Sequence, residues 1–380
     1  MKDKNSPVSP ATRNHPRPVL MIPLRRCGSH ALRLRLNANP EFFYAPYPLH
    51  IVDFMPLLEL YGNLYDDAAY FQMVVDVIGL QTASMVKWDG IVFDPVTIFE
   101  SIKDRPRSVH AILWELLLRS GEAHHARVVM DKSLDSVHYA EELIHLLPDI
   151  LFLNVVRDPR AQVNSMNRAI IHDFDAALNA QSWVRAYEAG RNLEKNHPGR
   201  VLTIRYEDFL ANQEAVLRRI CGFFEIEFLP AMLDVSLSKE AREITALSAL
   251  WESNTSAPIS ANKDKFKKTM TLEEIEIIES IAGELMDYYG YQKMTPAGVK
   301  LTAPQLEDAR QRSKLLREQA WADLHAHNNR DYQLRRFRAD YLEAVRTRLL
   351  READAHPRGA MHILPAAGAA VSLRTHGGAI

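Results

Sequence analysis

Only two cysteines occur in 380 residues, Cys27 and Cys221. They lie far apart without metal-ligand spacing, so the chain has no disulfide framework and no Cys-built metal site, which fits a reducing compartment. No apolar run approaches the roughly 18 to 20 uncharged residues of a membrane span. Charge of one sign is lacking too: 46 Lys+Arg against 48 Asp+Glu leave −2, so no global basic field argues for nucleic acid or a membrane surface. Glycines are missing where the common nucleotide motifs need them. A dinucleotide fingerprint has three spaced glycines, and here only Gly28 stands after the first strand candidate. The triphosphate P-loop has its lysine after the glycines, whereas here the cations precede a single glycine.

What is present is an ordinary globular composition, 47% hydrophobic and 25% charged. Met1 to Arg17 is polar, bears Pro7, Pro10 and Pro16, and reads as a disordered arm rather than a signal peptide. A cytoplasmic chain is expected. Short apolar runs at Val19 to Ile22, Val128 to Met130, Ile150 to Val156 and Val201 to Ile204 predict strands. Helical periodicity occupies Ala68 to Ile78, Val109 to Arg119, Val137 to Leu147, Ala161 to Ile171 and Ala176 to Asn196. Alternation of continuous apolar strands with helices predicts an α/β fold, a parallel β-sheet flanked by helices, with ligands beyond the carboxyl ends of the strands. Gln213 to Phe224 and Leu272 to Tyr289 read as amphipathic helices, the second opened by a Thr271–Glu274 capping box and closed by Gly290. Composition shifts after Met294. Pro304 to Asp354 predicts a C-terminal helical extension split near Ala326 to Asn329, and Ala355 to Ile380 a poorly ordered tail. The chain is therefore divided into an arm (1–17), a main domain (18–294), the extension (295–354) and the tail (355–380).

Two elements promise anion binding. Val19 to Ile22 runs into Arg25-Arg26-Cys27-Gly28-Ser29-His30 and then a helix-compatible Ala31 to Leu36. A strand, tight turn and helix N-terminus gather free backbone N–H groups where the helix dipole favours negative charge. Gly28 admits close approach, Ser29 and His30 can donate, and Arg25 and Arg26 add fixed charge. The bland reading is a strand–turn–helix with solvated arginines. The second element is Arg157-Asp158-Pro159-Arg160 at the end of a strand, with Ser165 downstream. Arginine at a strand tip and a serine on the following helix can converge on one phosphate, and the bland alternative is an ion-paired helix start.

Together with Ile204-Arg205-Tyr206-Glu207-Asp208, these elements make the sequence resemble the sulfotransferases that use 3′-phosphoadenosine 5′-phosphosulfate. The resemblance spans roughly residues 18 to 293. Asp131-Lys132 resembles the family's lysine at the tip of a middle strand, and Phe266-Lys267-Lys268, Thr271 and Gly290-Tyr291 its C-terminal helix and Gly-Tyr ending. It implies a P-loop NTPase-like sulfotransferase fold and this nucleotide as co-substrate, with no metal. Arg25, Arg26, Cys27, Gly28, Ser29 and His30 would wrap the donor's 5′-phosphate, with Arg26 catalytic through charge on the bridging oxygen. Lys132, the second catalytic residue, would shield the transferring sulfuryl group. Arg157 and Ser165 would hold the 3′-phosphate, and Tyr206 would lie near the adenine.

The sequence departs from the family pattern in places. His30 and Ala31 replace the usual threonine and tryptophan, and the Arg-Lys-Gly element is absent, with Lys263 or Lys265 as substitutes. Leu134 stands where cytosolic members have a histidine, which leaves Asp131, Asp135, His124 and His125 as bases by chain position. Two other functions stay open: a P-loop kinase-like phosphotransferase, and an inactive sulfotransferase-like binding module. The acceptor is a small molecule or glycan, with a lipid-like alcohol, a phenol and a peptide tyrosine also open. Phe42-Phe43-Tyr44 and Trp88 are expected to shape its pocket. The arginines of the extension read as a solvated, ion-paired helix that packs Leu334, Phe337, Tyr341, Leu342 and Val345 on the core or on a second subunit, in preference to a basic stripe.

Overall fold

The computed structural model describes residues 15–39, 43–88, 90–235, 238–248 and 263–355. Its centre is a single sheet of β1 (Arg17–Ile22), β2 (Phe43–Tyr44), β3 (Val128–Asp131), β4 (Leu151–Val156) and β5 (Val201–Arg205), all parallel, in the order β2-β3-β1-β4-β5. The apolar runs are continuous because both faces are covered. Leu20 and Ile22 of β1 face one core layer with Phe152, Trp114 and Tyr187, while Val19 and Met21 face another with Leu32, Leu217 and Phe224. That division follows the two-residue period of a strand.

The helices are α1 (Ser29–Asn37), α2 (Asp67–Ala83), α3 (Pro95–Ile102), α4 (Val109–Ala123), α5 (Ala140–Leu146), α6 (Pro159–Met166) and α7 (Ala176–Asn196). There follow α8 (Tyr206–Ala211), α9 (Gln213–Phe224), α10 (Lys239–Leu247), α11 (Phe266–Thr269), α12 (Leu272–Tyr288), α13 (Ala303–His327) and α14 (Asn329–Ala355). Segments Ile51–Tyr61 and Leu134–Tyr139 wind as 3₁₀ turns. Side-chain caps set several starts: Asp158 accepts from Arg160 N at α6, Asp175 from Ala177 N and Leu178 N at α7, and Thr271 closes its capping box with Glu274.

Some expectations shift. β2 carries no apolar run and is not read from sequence. The helix predicted over 137–147 begins only at Ala140, after the 3₁₀ turn, and that predicted over 161–171 starts at Pro159 and stops at Met166. Arg17 belongs to β1, with its guanidinium on Glu225 at 2.9 Å, so the arm is shorter than predicted; its residues 1–14 lie outside the described residues, as does the tail from 356.

The extension folds back as a helical hairpin that breaks between His327 and Asn329, inside the predicted interval. Val345 and Leu349 join the core, and the Tyr341 hydroxyl donates to Asp76 O at 2.8 Å. Phe337, expected in the packed row, is instead 56% exposed. The arginines are ion-paired, Arg335 with Asp331 and Arg336 with Asp340 along the helix, and Arg338 with Asp53 and Arg348 with Asp76 across to the main domain. Among the described residues no helix is long and apolar enough to cross a membrane. Because Leu349 is fully buried, Leu349→Ala is expected to lower the unfolding free energy by about 2–5 kcal/mol. Guanidinium unfolding measures this, and an unchanged midpoint would show that α14 adds little to the core.

Candidate active site

The chain leaves β1 toward β2 and leaves β4 toward β5, on opposite sides, so a crevice opens between the carboxyl ends of β1 and β4. Three strand ends meet there and on β1's other flank. β1 delivers the turn before α1, β3 delivers Asp131-Lys132-Ser133, and β4 delivers Arg157-Asp158.

The turn carries left-handed backbone at Arg26 (φ 71) and Gly28 (φ 94) on either side of Cys27. Such alternation turns successive N–H groups inward, as in anion-binding concavities, and Gly28 leads into α1 without a side-chain cap. A Cβ on Gly28 would stand 2.1 Å from Tyr206 Cε2, so the position needs glycine for space as well as for φ. The Arg157 guanidinium lies over the same Tyr206 ring at 4.9 Å. Arg157 Nη1 donates to Arg26 O at 2.7 Å, and Arg26 Nε donates to Ser165 Oγ at 3.1 Å. Burial, followed by the neighbouring Arg157, lowers the Arg26 guanidinium to about 10.

The sequence motifs also fasten the site. Glu207 Oε1 accepts from Asp158 N at 3.0 Å while its Oε2 accepts from the Tyr291 hydroxyl at 2.8 Å, which joins the β4 end, α8 and the Gly-Tyr segment. The Tyr187 hydroxyl accepts from Arg157 N and donates to Gln162 Oε1, and Gln162 in turn donates to Arg25 O. Arg160 points away from the crevice, pairing with Asp158 and the buried Glu279, each at 2.7 Å.

A second basic group surrounds Lys132, which is 2% exposed. Burial, then Arg33 and Arg25, lowers its ammonium to about 7. Arg25 is ion-paired with Asp135 at 2.5 Å, and the attraction of Asp135 and Asp53 outweighs burial and raises its pKa. The fully buried Arg33 donates to Ala45 O at 2.6 Å and pairs with Glu240 at 2.5 Å. Burial lifts the Cys27 thiol to about 11 despite Lys132, so it is a neutral core group. His30 is held well below the usual histidine range by burial and then by Lys132, Arg33 and Arg26, and its ring stacks on Tyr47 at 6.1 Å.

A family model described as Sulfotransferase family matches residues 18–230, more than half of the chain. This chain belongs to the sulfotransferase family. The sulfotransferase is also similar to solved structures at low identity. One is the Sulfotransferase Domain from the Synechococcus PCC 7002 Olefin Synthase, with 19% identity, TM-score 0.48, and 73% of this chain and 98% of that chain covered. Another is the Sulfotransferase Domain from the Curacin Biosynthetic Pathway, with 17% identity, TM-score 0.44 and coverage of 74% and 99%. No curated protein matches.

In this sulfotransferase Arg26, Gly28, Arg157, Ser165 and Tyr206 come together, with Arg25, His30 and Lys132 on the β3 side. Lys263 does not join them by any contact; it is exposed just ahead of α11, which packs through Phe266 on Ala161 of α6. Phe43 is corrected from pocket to core: it pairs in register with Val128 at the amino end of β3 and stacks on Phe224. Trp88 is buried with its indole N–H on Tyr47 O, behind the site. Of the four base candidates, His124 stacks on Tyr44 at the amino edge of the sheet, and His125 precedes β3 at that same edge. Asp135 is committed to Arg25, and Asp131 accepts from both the N–H and hydroxyl of Ser133 at 2.9 Å. Sequence reasoning missed Arg33, Tyr47, His50 and His172, which no local pattern marks. Gly28→Ala is expected to strain the turn and push against Tyr206. It should destabilise the fold by about 1–3 kcal/mol, and Tyr206→Ala in the same chain should recover part of that loss. Equal thermal midpoints for wild type and Gly28→Ala would contradict this.

Proposed function

We propose that this sulfotransferase takes its sulfuryl group from 3′-phosphoadenosine 5′-phosphosulfate and passes it by in-line displacement to a hydroxyl or amine of a small-molecule or glycan acceptor. The observation that carries the reading is the division of partly or fully buried cations into two groups flanking the α1 N-terminus. Arg26 and Arg157 with Ser165 form one, and Lys132 and Arg25 form the other. The donor has two anionic ends, a 3′-phosphate and a 5′-phosphosulfate, which suits two such groups. ATP would find no lysine after Gly28 to bridge its β- and γ-phosphates.

Arg157, Ser165 and Arg26 are assigned to the 3′-phosphate end, because Arg26 Nε already reaches the Ser165 hydroxyl; this moves Arg26 away from the bridging oxygen, the catalytic place that the resemblance implied for it. Lys263, exposed ahead of α11, is assigned to the same end as the substitute for the missing Arg-Lys-Gly element, although no contact joins it to Arg157 or Ser165. Backbone N–H groups of Cys27, Gly28, Ser29 and His30 wrap the 5′-phosphate, with Tyr206 near the adenine. Lys132 is the cation for the sulfuryl oxygens and the bridging oxygen, where charge grows as the S–O bond breaks. Side-chain cations, rather than a metal, balance this charge. The free, buried thiols of Cys27 and Cys221 suit a reducing compartment, and we place the enzyme in the cytoplasm.

Calorimetry tests the donor. Adenosine 3′,5′-bisphosphate should bind at least about tenfold tighter than AMP, and Arg157→Ala should lose about 10- to 100-fold in bisphosphate affinity, as for a charged hydrogen bond. Equal affinity for the two nucleotides would overturn the reading. The lowered Lys132 pKa adds a sign. Lys132 is charged below about pH 7 and neutral above it. A bound polyanion raises that value, so binding at pH 8 should take up close to one proton and weaken as pH rises. Titrations in two buffers of different ionisation enthalpy measure the uptake, which Lys132→Met should abolish.

A further inference from the structure

We propose that His50 takes the acceptor's proton and that Arg338 of α14 is the positioning residue that holds it in place; the assignment rests on the donor reading above. His50 ends the connection between β2 and the 3₁₀ segment Ile51–Tyr61 with left-handed backbone, φ 51 and ψ 56. A non-glycine residue keeps this strained conformation only where the surroundings over-determine it.

They do so from two sides. His50 N–H donates to Ser133 Oγ at 3.2 Å, and Ser133, fixed by two bonds to Asp131, directly follows Lys132. From the far end of the chain Arg338 Nη2 donates to Leu49 O at 3.0 Å, to His50 O at 3.4 Å and to Asp53 Oδ2 at 3.0 Å. One guanidinium grips three groups of the same turn. Its residue lies outside the matched family region, so this grip is supplied by the chain's own extension.

The imidazole is linked to the phosphate turn through one ring. It meets Tyr47 edge-on at 6.1 Å, and Tyr47 stacks at the same distance on His30 of the phosphate turn. His50 is half-buried, and its Nδ1 is enclosed without a hydrogen-bond partner. The charged groups that face it are Arg25 from the β1 turn, Lys132 from the β3 end and Arg338 from α14. Burial and then these cations hold it well below the usual histidine range, so it stands neutral; the negative charge of a bound donor beside the same cations would offset them and favour the imidazolium as the proton arrives. The other bases considered are engaged or remote: Asp131 by Ser133, Asp135 by Arg25, and both His124 and His125 by their place at the opposite sheet edge.

The step balances without a further reactant. The acceptor's O–H proton passes to an imidazole nitrogen of His50, and the oxygen forms a new bond to sulfur. The bond from sulfur to the 5′-phosphate oxygen breaks, and its electron pair stays on the phosphate. The imidazolium then releases the proton to solvent.

The test follows sulfate transfer from sulfur-labelled donor to water and to 4-nitrophenol by the full-length chain, beside calorimetry with adenosine 3′,5′-bisphosphate. His50→Asn keeps a residue that tolerates left-handed backbone. It should bind the bisphosphate within about twofold of wild type and lose about 10²- to 10⁴-fold in turnover. His50→Gly should regain turnover with added imidazole. Arg338→Ala should lower kcat at unchanged bisphosphate affinity, and Arg338→Lys should recover part of it. His50→Asn with wild-type turnover and intact bisphosphate binding would overturn the assignment and leave the donor reading standing. A wild-type chain that neither prefers the bisphosphate nor releases sulfate would overturn the donor reading itself. Loss of bisphosphate affinity matching the loss of turnover in Arg338→Ala would overturn its positioning role.

Discussion

Holding like charges together in a dry place is the constraint on which the carboxyl edge of this sheet depends. Arg25, Arg26, Arg33, Lys132 and Arg157 converge there from three strand ends and one helix, and burial opposes charge on each buried cation. The fold meets the constraint by giving the arginines fixed acceptors. Arg25 has Asp135, Arg33 has Glu240 and Ala45 O, and Arg157 has the carbonyl of Arg26. Lys132 is the exception: Asp131, its neighbour in the chain, is occupied by Ser133, and burial, then Arg33 and Arg25, lowers the Lys132 pKa. Positive charge therefore exceeds its local compensation around Lys132, where the proposed function calls for it.

The supporting frame explains why one short run serves two purposes. In Arg157-Asp158-Pro159-Arg160 the first arginine faces the crevice, and the second is a fastener. Arg160 closes a buried network with Asp158 and Glu279, and Glu279 also accepts from Met294 N, Thr295 N and the Thr295 hydroxyl. The end of the main domain is thereby tied to α6, the helix that presents Ser165. Glu207 does the same between the β4 end and Tyr291. These carboxylates fix the β4 end, α6 and α8, the elements from which Arg157, Ser165 and Tyr206 come together at Gly28.

Much of this was legible in the sequence wherever a feature was local. β1, β3, β4 and β5 announced themselves because both faces are buried and each run is uninterrupted. The limits of α7 and α9 followed from their spacing, and the structure adds Asp175 and Asn212 as side-chain caps. The turn at Arg26 to His30 and the Arg157–Ser165 pair were visible because a strand, its turn and the following helix are contiguous. β2 was not legible, since two residues at a sheet edge make no pattern. Arg33 carried no mark within the helix-compatible Ala31 to Leu36, yet it is fully buried, with its guanidinium on Ala45 O and Glu240. Phe43 failed for the converse reason: an aromatic run suggested a pocket, and register placed it in the core.

The same distinction separates the two sides of the reaction. The donor side is assembled from strand ends and the turns that follow them, so its residues keep a fixed order along the chain. The acceptor side is assembled across the chain. Tyr47 and His50 come from a loop with no periodicity, and the group that clamps that loop, Arg338, lies on a helix 288 residues away. The bond from His50 N–H to Ser133 and the grip of Arg338 on Leu49 O act on opposite faces of one turn, so neither alone fixes the imidazole. A helix that in sequence showed only ion-paired arginines thus also holds the turn at His50, because Arg338 reaches two of its backbone carbonyls as well as Asp53.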